Sequence, residues 1–462
     1  MTLKTFAYDF RRGLGSAIIE LKNNPEREKY RDIVLRYCLK DIAYDTQAEG
    51  TKGFYLYTAI NCFDKHEDFL NTIIEKFNKK LYWRLSEQLY DILVCFSEAG
   101  NKIAEKALEE KYIKLKKRLP LMREFNLRYC EREQFEHLMI KKSDSSFKAF
   151  KQCINDMGEM ILKRGNNECL WYNWFLENAE NKYGESIYTY IKSEENVNII
   201  EFYKAYSKSK SKDLNDKIVT VDAFCQSYNT GTDVPKNEKI TIKQLIDYAN
   251  KIEKTKSKPF SIRMYAIKFA KQANKSELNK LGAIALDESS DLVKAALLFT
   301  FNFTDFPHDV ELLFPYVFSD CRDLRYIAVE ALSRITDKKI NALVFRLFNE
   351  GQIENAIALL KSNFTPEEEP FIRKYVKSKK NILHGIITDI AKIYNKYKSE
   401  TCGDILLHLY KNTECTHCRY NIVEAMIKNN VLPKNILEEC RYDSYNETRK
   451  ILKNEGKTVK KR

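Results

Sequence analysis

The sequence has few glycines and prolines and no long apolar run. It contains 14 glycines and 9 prolines in 462 residues, about 5% together, against roughly 12% in average usage. So few chain breakers argue against a loop-rich β-sandwich or barrel and against a low-complexity chain. Apolar residues make up 44% of the chain, enough for a core, but no run approaches the roughly 18 needed to cross a membrane. The first fifteen residues lack the apolar segment of a signal peptide. These features predict a soluble, cytoplasmic, all-α protein without a membrane partner.

Catalytic and cofactor motifs are also missing. No Ser/His/Asp or Cys/His arrangement and no paired-carboxylate signature occurs. The segment Arg11–Ser16 contains two glycines, but it lacks the third glycine of a dinucleotide loop and the Gly-Lys-Ser/Thr of a phosphate loop. We expect these glycines to permit a close helix crossing instead. No catalytic residue and no cofactor is therefore predicted, although an active site assembled from distant residues stays open.

The twelve cysteines show no framework spacing. Several lie inside apolar stretches, among them Cys38, Cys95 and Cys225. Cysteines in such surroundings behave as small core residues in a reducing compartment. The pattern therefore predicts free buried thiols rather than disulfides.

One cysteine pair has the spacing of a metal site. Cys415-x-x-Cys418 is half of a zinc knuckle, and Cys402 and Cys440 could supply two more ligands. Against this, Cys418 aligns with Leu324 in the repeat described next, at a packing position. Core packing is therefore favoured and no metal ligand is predicted, while zinc at these four cysteines remains the alternative.

An internal repeat is visible in the carboxy-terminal half. Residues 321–332 and 415–426 share a leading Cys, an Arg-Tyr pair and a Val-Glu-Ala triplet, at an offset of 94 residues. That offset is three periods of about 31 residues, a length typical of stacked helix pairs. Steps of about this length connect basic residues that precede apolar helical runs, namely Arg263, Lys294, Arg325, Arg419 and Arg449.

The apolar spacing within each repeat predicts amphipathic helices. Ile327, Ala331 and Leu332 fall on one helical stripe, and Ile422, Ala425 and Met426 form such a stripe in the later copy. A small Ala at such a position lets a neighbouring helix approach closely. An isolated helix pair cannot bury both of its apolar stripes, so the pairs must stack.

Acidic residues precede two of the repeated arginines. Asp320 lies before Arg325, and Asp443 lies before Arg449. This spacing predicts a carboxylate in the turn between helices, near the amino end of the next helix. We expect each arginine to reach a carboxylate of its own or the adjacent repeat.

This pattern resembles the HEAT repeat family. The residues that carry the resemblance are Asp320, Leu324, Arg325, Ala328 and Leu332, with Asp443, Thr448, Arg449 and Leu452 in the last copy. The pattern departs from the family at Ala356 and Ile387, where basic residues are expected. The resemblance implies a curved α-solenoid of antiparallel helix pairs. It further implies a non-catalytic interaction or scaffold protein with a protein partner rather than an enzyme.

The same pattern sets the predicted organisation. Residues 1–206 form a helical region with degenerate HEAT-like pairs, and residues 207–240, rich in turn formers, form a loop or linker. The regular repeats occupy residues 241–455, and residues 456–462 form a basic tail.

Two enzyme classes are also built from HEAT-like repeats. One group of iron oxygenases repeats a His-Glu pair, and His66-Glu67 is the only such pair here, so that class is disfavoured. Bacterial DNA-repair glycosylases use aromatic and acidic residues in a basic cradle. The aromatic cluster at 171–175, which contains Trp171 and Trp174, favours a core helix. A base-stacking or peptide-binding surface is its alternative.

Nucleic acid is the second predicted partner class. The chain has 78 basic and 65 acidic residues, a net charge of +13, and this excess could attract phosphate if one groove concentrates it. A solvated helix face is the simpler interpretation of each basic run. The candidate phosphate contacts are Lys114, Lys117, Arg118, Lys208, Lys210 and Lys212.

Overall fold

The computed structural model confirms an all-α chain. The structure describes residues 1–45, 48–79, 81–118, 129–164, 172–216, 239–379 and 381–451. Every regular element within these ranges is a helix, and none of them contains a β-strand. The chain divides into two compact units. Unit 1 comprises Met1–Ala223 together with Glu438–Arg462, and unit 2 comprises Phe224–Leu437.

The helices are short and numerous. Twelve α-helices of the described ranges precede the division at residue 223: α1 Leu3–Arg12, α2 Gly15–Asn23, α3 Arg31–Cys38, α4 Gly53–Ile60, α5 Glu67–Asn78, α6 Trp83–Glu98, α7 Lys102–Arg118, α8 Tyr129–Ser145, α9 Phe147–Arg164, α10 Tyr172–Tyr183, α11 Ser186–Ser193 and α12 Val197–Asp216. The described helices that follow are α13 Ile242–Thr255, α14 Arg263–Gln272, α15 Lys275–Asp287, α16 Asp291–Leu298, α17 Phe314–Val317, α18 Arg322–Leu332, α19 Lys338–Asn349, α20 Ile353–Asn363, α21 Glu369–Ser378, α22 His384–Lys396, α23 Gly403–Asn412, α24 Thr416–Lys428 and α25 Lys434–Cys440. Residues 446–451 are also helical.

Local side-chain caps define several helix starts in unit 2. Thr241 and Gln244 form a reciprocal capping box at α13, and Asn274 and Glu277 form another at α15. Asp337 caps α19 by accepting the Lys339 N–H at 2.9 Å. Each cap satisfies backbone donors that the first turn of a helix leaves without a partner. These boundaries are therefore set by residues adjacent in the sequence.

An aromatic cluster lies at the start of the unit 1 core. Phe6 stacks on Phe10 and on Tyr30, with ring centroids 5.4 and 4.0 Å apart. Phe10 also lies 5.1 Å from Tyr55, whose hydroxyl donates to the Leu14 carbonyl at 2.9 Å. All four rings are almost fully buried, so they join α1, α4 and the residue before α3 through apolar contact. The Tyr30 hydroxyl is also hydrogen-bonded, since it donates to the Glu20 carboxylate at 2.7 Å.

The carboxy-terminal segment of unit 1 packs on its first two helices. The Ser444 N–H donates to the Gly13 carbonyl at 2.9 Å, and Gly13 has a left-handed φ of 75°. A Cβ built on Gly15 would lie 1.8 Å from the Glu439 carbonyl oxygen. The expectation that the glycines of Arg11–Ser16 permit a close crossing is thus confirmed.

Alternate helices pack in series in unit 2. The series consists of α13, α16, α18, α20, α22 and α24, and each member contacts the next. A second set flanks it, in which α15, α17, α19 and α23 each pack on the helix of the series that follows them, and α21 packs on α23. From α16 onward, helices adjacent in this series start 31 or 32 residues apart, which is about one predicted repeat, whereas α13 starts 49 residues before α16.

The two segments that revealed the repeat adopt the same local structure. Cys321 is the N-cap of α18 and Cys415 is the N-cap of α24, both with extended backbone. The predicted stripes are buried in both helices: Ile327, Ala331, Leu332, Ile422, Ala425 and Met426 are each at most 2% exposed. Their assignment to the core is confirmed.

The repeated arginines bind main-chain carbonyls. Arg325 Nη1 donates to the Ser319 carbonyl at 2.5 Å, and Arg449 Nη1 donates to the Asp443 carbonyl at 2.6 Å. Both acceptors lie six residues before the arginine. The expectation that each arginine reaches a carboxylate is therefore wrong, and the partner is a backbone carbonyl. The turn directs this carbonyl oxygen, which needs a hydrogen-bond donor, at the guanidinium. Asp443 does cap its turn as expected, since its Oδ1 accepts the Tyr445 N–H at 2.8 Å.

The other repeat positions differ in exposure. Arg263 is exposed at the start of α14, whereas Arg419 is fully buried in α24. Lys294 Nζ lies 4.6 Å from the centre of the Tyr316 ring and 3.3 Å from its hydroxyl. At the two departures from the pattern, Ala356 and Ile387 are buried. Residues at the predicted repeat positions thus differ in burial and in the groups that they contact.

Part of the predicted linker is helical. Helix α12 continues to Asp216, so residues 207–216 are helical and not a loop. Lys and Leu are good helix formers, and they sustain the helix although the segment also contains serines. Residues 217–238 and the predicted basic tail lie outside the described residues. None of the described helices is long and apolar enough to span a membrane.

Only some of the cysteines lie within the described residues. Nine cysteines have side chains that the structure describes, and all nine are free thiols, as expected. Six of them, including Cys38, are buried, whereas Cys95, which was also expected to be buried, is only partly buried. Cys225 lies outside the described residues.

The aromatic cluster at 171–175 is also only partly described. Its Phe175 is fully buried and stacks on Phe150, with ring centroids 5.8 Å apart, which confirms a core position for that ring. Trp171 and the side chains of Tyr172 and Trp174 lie outside the described residues.

Candidate metal centre

Two cysteines lie at the amino end of α24. Cys415 is the N-cap, and Cys418, three residues later, donates its backbone N–H to the Cys415 Sγ at 3.4 Å. Both side chains are buried, at 1% and 0% exposure. The Cys-x-x-Cys spacing places both sulfurs on the first helical turn, where unpaired N–H groups and the helix dipole favour negative charge. Such positions stabilise the thiolate form of a cysteine.

A histidine from another helix completes the group. His384 is the first residue of α22, which packs directly on α24. Its Nδ1 lies 3.3 Å from the Cys418 Sγ. The two sulfurs and a ring nitrogen of His384 all lie within 4.8 Å of one another. Three groups that bind soft and borderline metals thus converge from two helices.

A threonine supports the contact between these helices. The Thr388 hydroxyl donates to the His384 carbonyl one turn earlier, at 3.1 Å, and its oxygen lies 3.5 Å from the Cys418 Sγ. Thr388 therefore links the backbone that carries His384 to the sulfur on the neighbouring helix. His384 itself is only partly buried, so solvent reaches one edge of the group.

The four-cysteine zinc site, which the sequence left open as the alternative to core packing, is not the group that comes together. Cys415 and Cys418 come together as their spacing suggests, but Cys402 and Cys440 are not members of the group. The Cys402 Sγ instead donates to the Ser399 carbonyl at 3.2 Å, and burial raises the pKa of this thiol to about 12. Cys440 is buried in unit 1.

His384 was not among the predicted ligands, although a signal for it exists in the sequence. It lies one predicted period, 31 residues, before Cys415. In an array of stacked helix pairs, residues one period apart occupy corresponding places in adjacent pairs and lie next to each other. A search for metal ligands at multiples of the repeat length would have found it.

The candidate phosphate contacts fall on α7 and α12. Lys114, Lys117 and Arg118 are exposed near the carboxyl end of α7, as a solvated face requires. Arg118 pairs with Glu131 at 3.0 Å. The candidates at 208, 210 and 212 belong to α12, but the side chains of Lys208, Lys210 and Lys212 lie outside the described part of the chain. A basic groove that joins the two helices therefore stays a prediction.

A cleft of about 400 Å³ lies beside α7 in unit 1. At its wall Asp156, 2% exposed, accepts from the Tyr112 hydroxyl and from Lys116 Nζ, both at 2.6 Å. Lys116 and Lys163 also bond Glu159 at 2.8 and 2.5 Å, and these hydrogen bonds lower the pKa of Glu159 to about 2. A carboxyl group held in this way stays ionised at neutral pH and is a poor general acid.

Comparison with known proteins gives no family for the chain. No protein-family model matches it, and no curated protein matches it either.

Proposed function

We propose that this chain is a non-catalytic interaction protein in which unit 2 is an α-solenoid of HEAT-like helix pairs that presents a surface to a protein partner. The observation that carries the proposal is the serial packing of α13, α16, α18, α20, α22 and α24. Serial contact between successive units is the property that defines a solenoid, and solenoids use their extended faces for binding.

Polar contacts repeat at the interval expected for such a stack. Pairs separated by 28 to 35 residues join adjacent helix pairs in unit 2. Examples are Lys339 with Asp309 at 2.6 Å, Lys361 with Glu330 at 3.3 Å, Arg373 with the Thr401 carbonyl at 2.9 Å, and the Asn429 amide with the Tyr394 carbonyl at 2.7 Å. Contacts that recur at one period hold each unit to its neighbour, which supports a linear array.

Two exposed apolar side chains favour a protein partner. Tyr326 in α18 is 52% exposed and Leu383, just before α22, is 61% exposed. Tyrosine is enriched in protein interfaces because it combines apolar area with a hydrogen-bonding hydroxyl. These two side chains are the first contacts that we assign to such a partner.

The linear array of helix pairs can be tested by measuring how far the effect of one substitution spreads through unit 2. Arg373 bonds Glu369 at 2.6 Å and the Thr401 carbonyl, and it also pairs with Asp404. In a solenoid each unit contacts only its neighbours. Arg373→Ala should therefore speed hydrogen exchange in α21 and α23 and leave α13 to α16 unchanged. Lys428→Ala, which removes a pair within one helix, is the control. Uniformly faster exchange throughout unit 2 would contradict the solenoid.

Partner class can be tested by cross-linked capture from native lysate with wild type and Tyr326→Asp, each with and without nuclease. We expect a protein that survives nuclease treatment and is lost with Tyr326→Asp. Capture that disappears with nuclease, or no capture at all, would contradict a protein partner.

Nucleic acid is the second candidate, favoured by the exposed Lys114, Lys117 and Arg118 on one helix. Phosphate contacts would make binding independent of sequence and steeply dependent on salt. The triple charge reversal of these residues to Glu should weaken binding to all duplexes alike. It should also reduce the salt slope by roughly one unit for each phosphate that the variant no longer binds. If wild type does not retard DNA or RNA at low salt, this candidate should be dropped.

A further inference from the structure

We propose that His384, Cys415 and Cys418 bind one zinc ion that links α22 to α24. The site is independent of the proposed binding function, since it depends only on three side chains and the packing of two helices. Zinc is the metal we assign because two thiolates and one imidazole form a ligand set typical of it.

The spacing of the three donors fits tetrahedral zinc. Zn–S bonds of about 2.3 Å and Zn–N bonds of about 2.0–2.1 Å place a sulfur and a nitrogen ligand about 3.6 Å apart, and two sulfurs about 3.8 Å apart. The Cys418 Sγ and the His384 Nδ1 are 3.3 Å apart, and all three donors lie within 4.8 Å of one another. Shifts of less than about 1 Å therefore suffice to place an ion between them.

The surroundings also suit two anionic ligands. Both sulfurs lie at the amino end of α24, and His384 is the first residue of α22. The amino end of α24 therefore stabilises the charge of both thiolates. On binding, Zn²⁺ forms bonds to two sulfurs and one nitrogen, and the two thiol protons pass to solvent. The fourth tetrahedral position is left to a water molecule, because within the described ranges no further His, Cys, Asp or Glu joins the group.

The other copy of the repeat provides a matched comparison. Cys321 is the N-cap of α18, just as Cys415 is the N-cap of α24. Three residues later α18 has Leu324 instead of a second cysteine. A cysteine N-cap thus occurs at both copies, whereas the Cys-x-x-Cys pair and the facing histidine occur together only at the second. A Cys321→Ser variant therefore changes the same structural position without changing the proposed ligand set.

The test uses the full chain, purified with a thiol-free reductant, stripped with a chelator and titrated with zinc against a chromophoric competitor. We expect one zinc per chain. Cobalt(II) in place of zinc should give a thiolate-to-metal charge-transfer band and the intense d–d bands of a tetrahedral site. Cys418→Ser and His384→Ala should each weaken zinc binding by more than roughly 100-fold, since even the loss of an outer-shell partner costs about 10–100-fold. Cys321→Ser should bind like wild type.

Two results would overturn the site. One is the absence of stoichiometric zinc binding by reduced wild type, which would leave Cys418 and His384 as a hydrogen-bonded pair only. The other is zinc binding that His384→Ala leaves unchanged. Because Cys418 is fully buried, its serine variant can fail to fold. The partly exposed His384 avoids that problem, and circular dichroism of each variant must show an unchanged helical signal for its binding result to count.

Discussion

Replacing Gly15 with alanine tests the closest helix approach in unit 1. The added Cβ would lie 1.8 Å from the Glu439 carbonyl oxygen and 2.6 Å from its carbonyl carbon. Carbon atoms in contact prefer separations of about 3.5–4.0 Å. The obstructing atoms belong to the backbone, so no side-chain rotation can relieve the clash. The segment that follows Glu438 must move away from α2.

The change in the free energy of unfolding is the sum of two opposing contributions. Overpacking of this kind typically costs about 1–3 kcal/mol, while Gly→Ala within a helix returns about 0.5–1 kcal/mol. Because the clash is with backbone, we expect a net loss of about 1–2 kcal/mol in the free energy of unfolding of unit 1. In a unit of this size about 1 kcal/mol shifts the midpoint of thermal unfolding by roughly 2–4 °C.

Hydrogen exchange measured by mass spectrometry gives a local readout. The Ser444 N–H is bonded to the Gly13 carbonyl, so Gly15→Ala should reduce protection in the peptide that contains Ser444. Gly50→Ala is the control in the same unit, because nothing lies within 4 Å of its added Cβ. It should be neutral or stabilising by up to about 1 kcal/mol. Unchanged protection at Ser444 in Gly15→Ala, or equal thermal midpoints for the two variants, would refute this account of the crossing.

Three further predictions concern stability. Arg325→Ala removes a charged hydrogen bond to a turn carbonyl and should lower the free energy of unfolding in urea by about 1–3 kcal/mol. Ala331→Leu should cost about 1–3 kcal/mol, more than Leu332→Met, because both sites are buried and only the first must accept added volume. Glu159 has a pKa lowered from 4.5 to about 2, so its stabilisation is complete above pH 4.5 and is lost as the pH falls towards 2. The stability difference between wild type and Glu159→Gln in urea should therefore be constant above about pH 5 and shrink below it.

Sequence reasoning was most successful where structure depends on neighbouring residues. The stripe of Ile327 and Ala331 and the glycines near residue 15 could be interpreted from spacing and side-chain size alone. Such features recur at helical intervals, which a sequence displays directly. The same holds for the all-α class, which follows from the scarcity of chain breakers.

The features that sequence reasoning did not predict depend on distant contacts or backbone direction. His384 meets Cys418 because α22 packs on α24, and no local pattern marks a histidine for that role. The partner of Arg325 is a carbonyl, which side-chain spacing cannot identify, since every residue has one. The helical continuation to Asp216 is not predicted by local composition, because serine is common in turns and is also tolerated within helices.

The composition of unit 1 from two separate stretches of chain affects how the protein is made. Residues of unit 1 lie on both sides of Phe224–Leu437 in the sequence. During translation at about 5–20 residues per second, the ribosome needs roughly 10–40 s to produce the intervening stretch. Until Glu439 and Ser444 emerge, α1 and α2 expose the surface that these residues later cover. A nascent chain therefore presents this surface to chaperones for tens of seconds, and a premature stop codon anywhere in unit 2 leaves unit 1 incomplete.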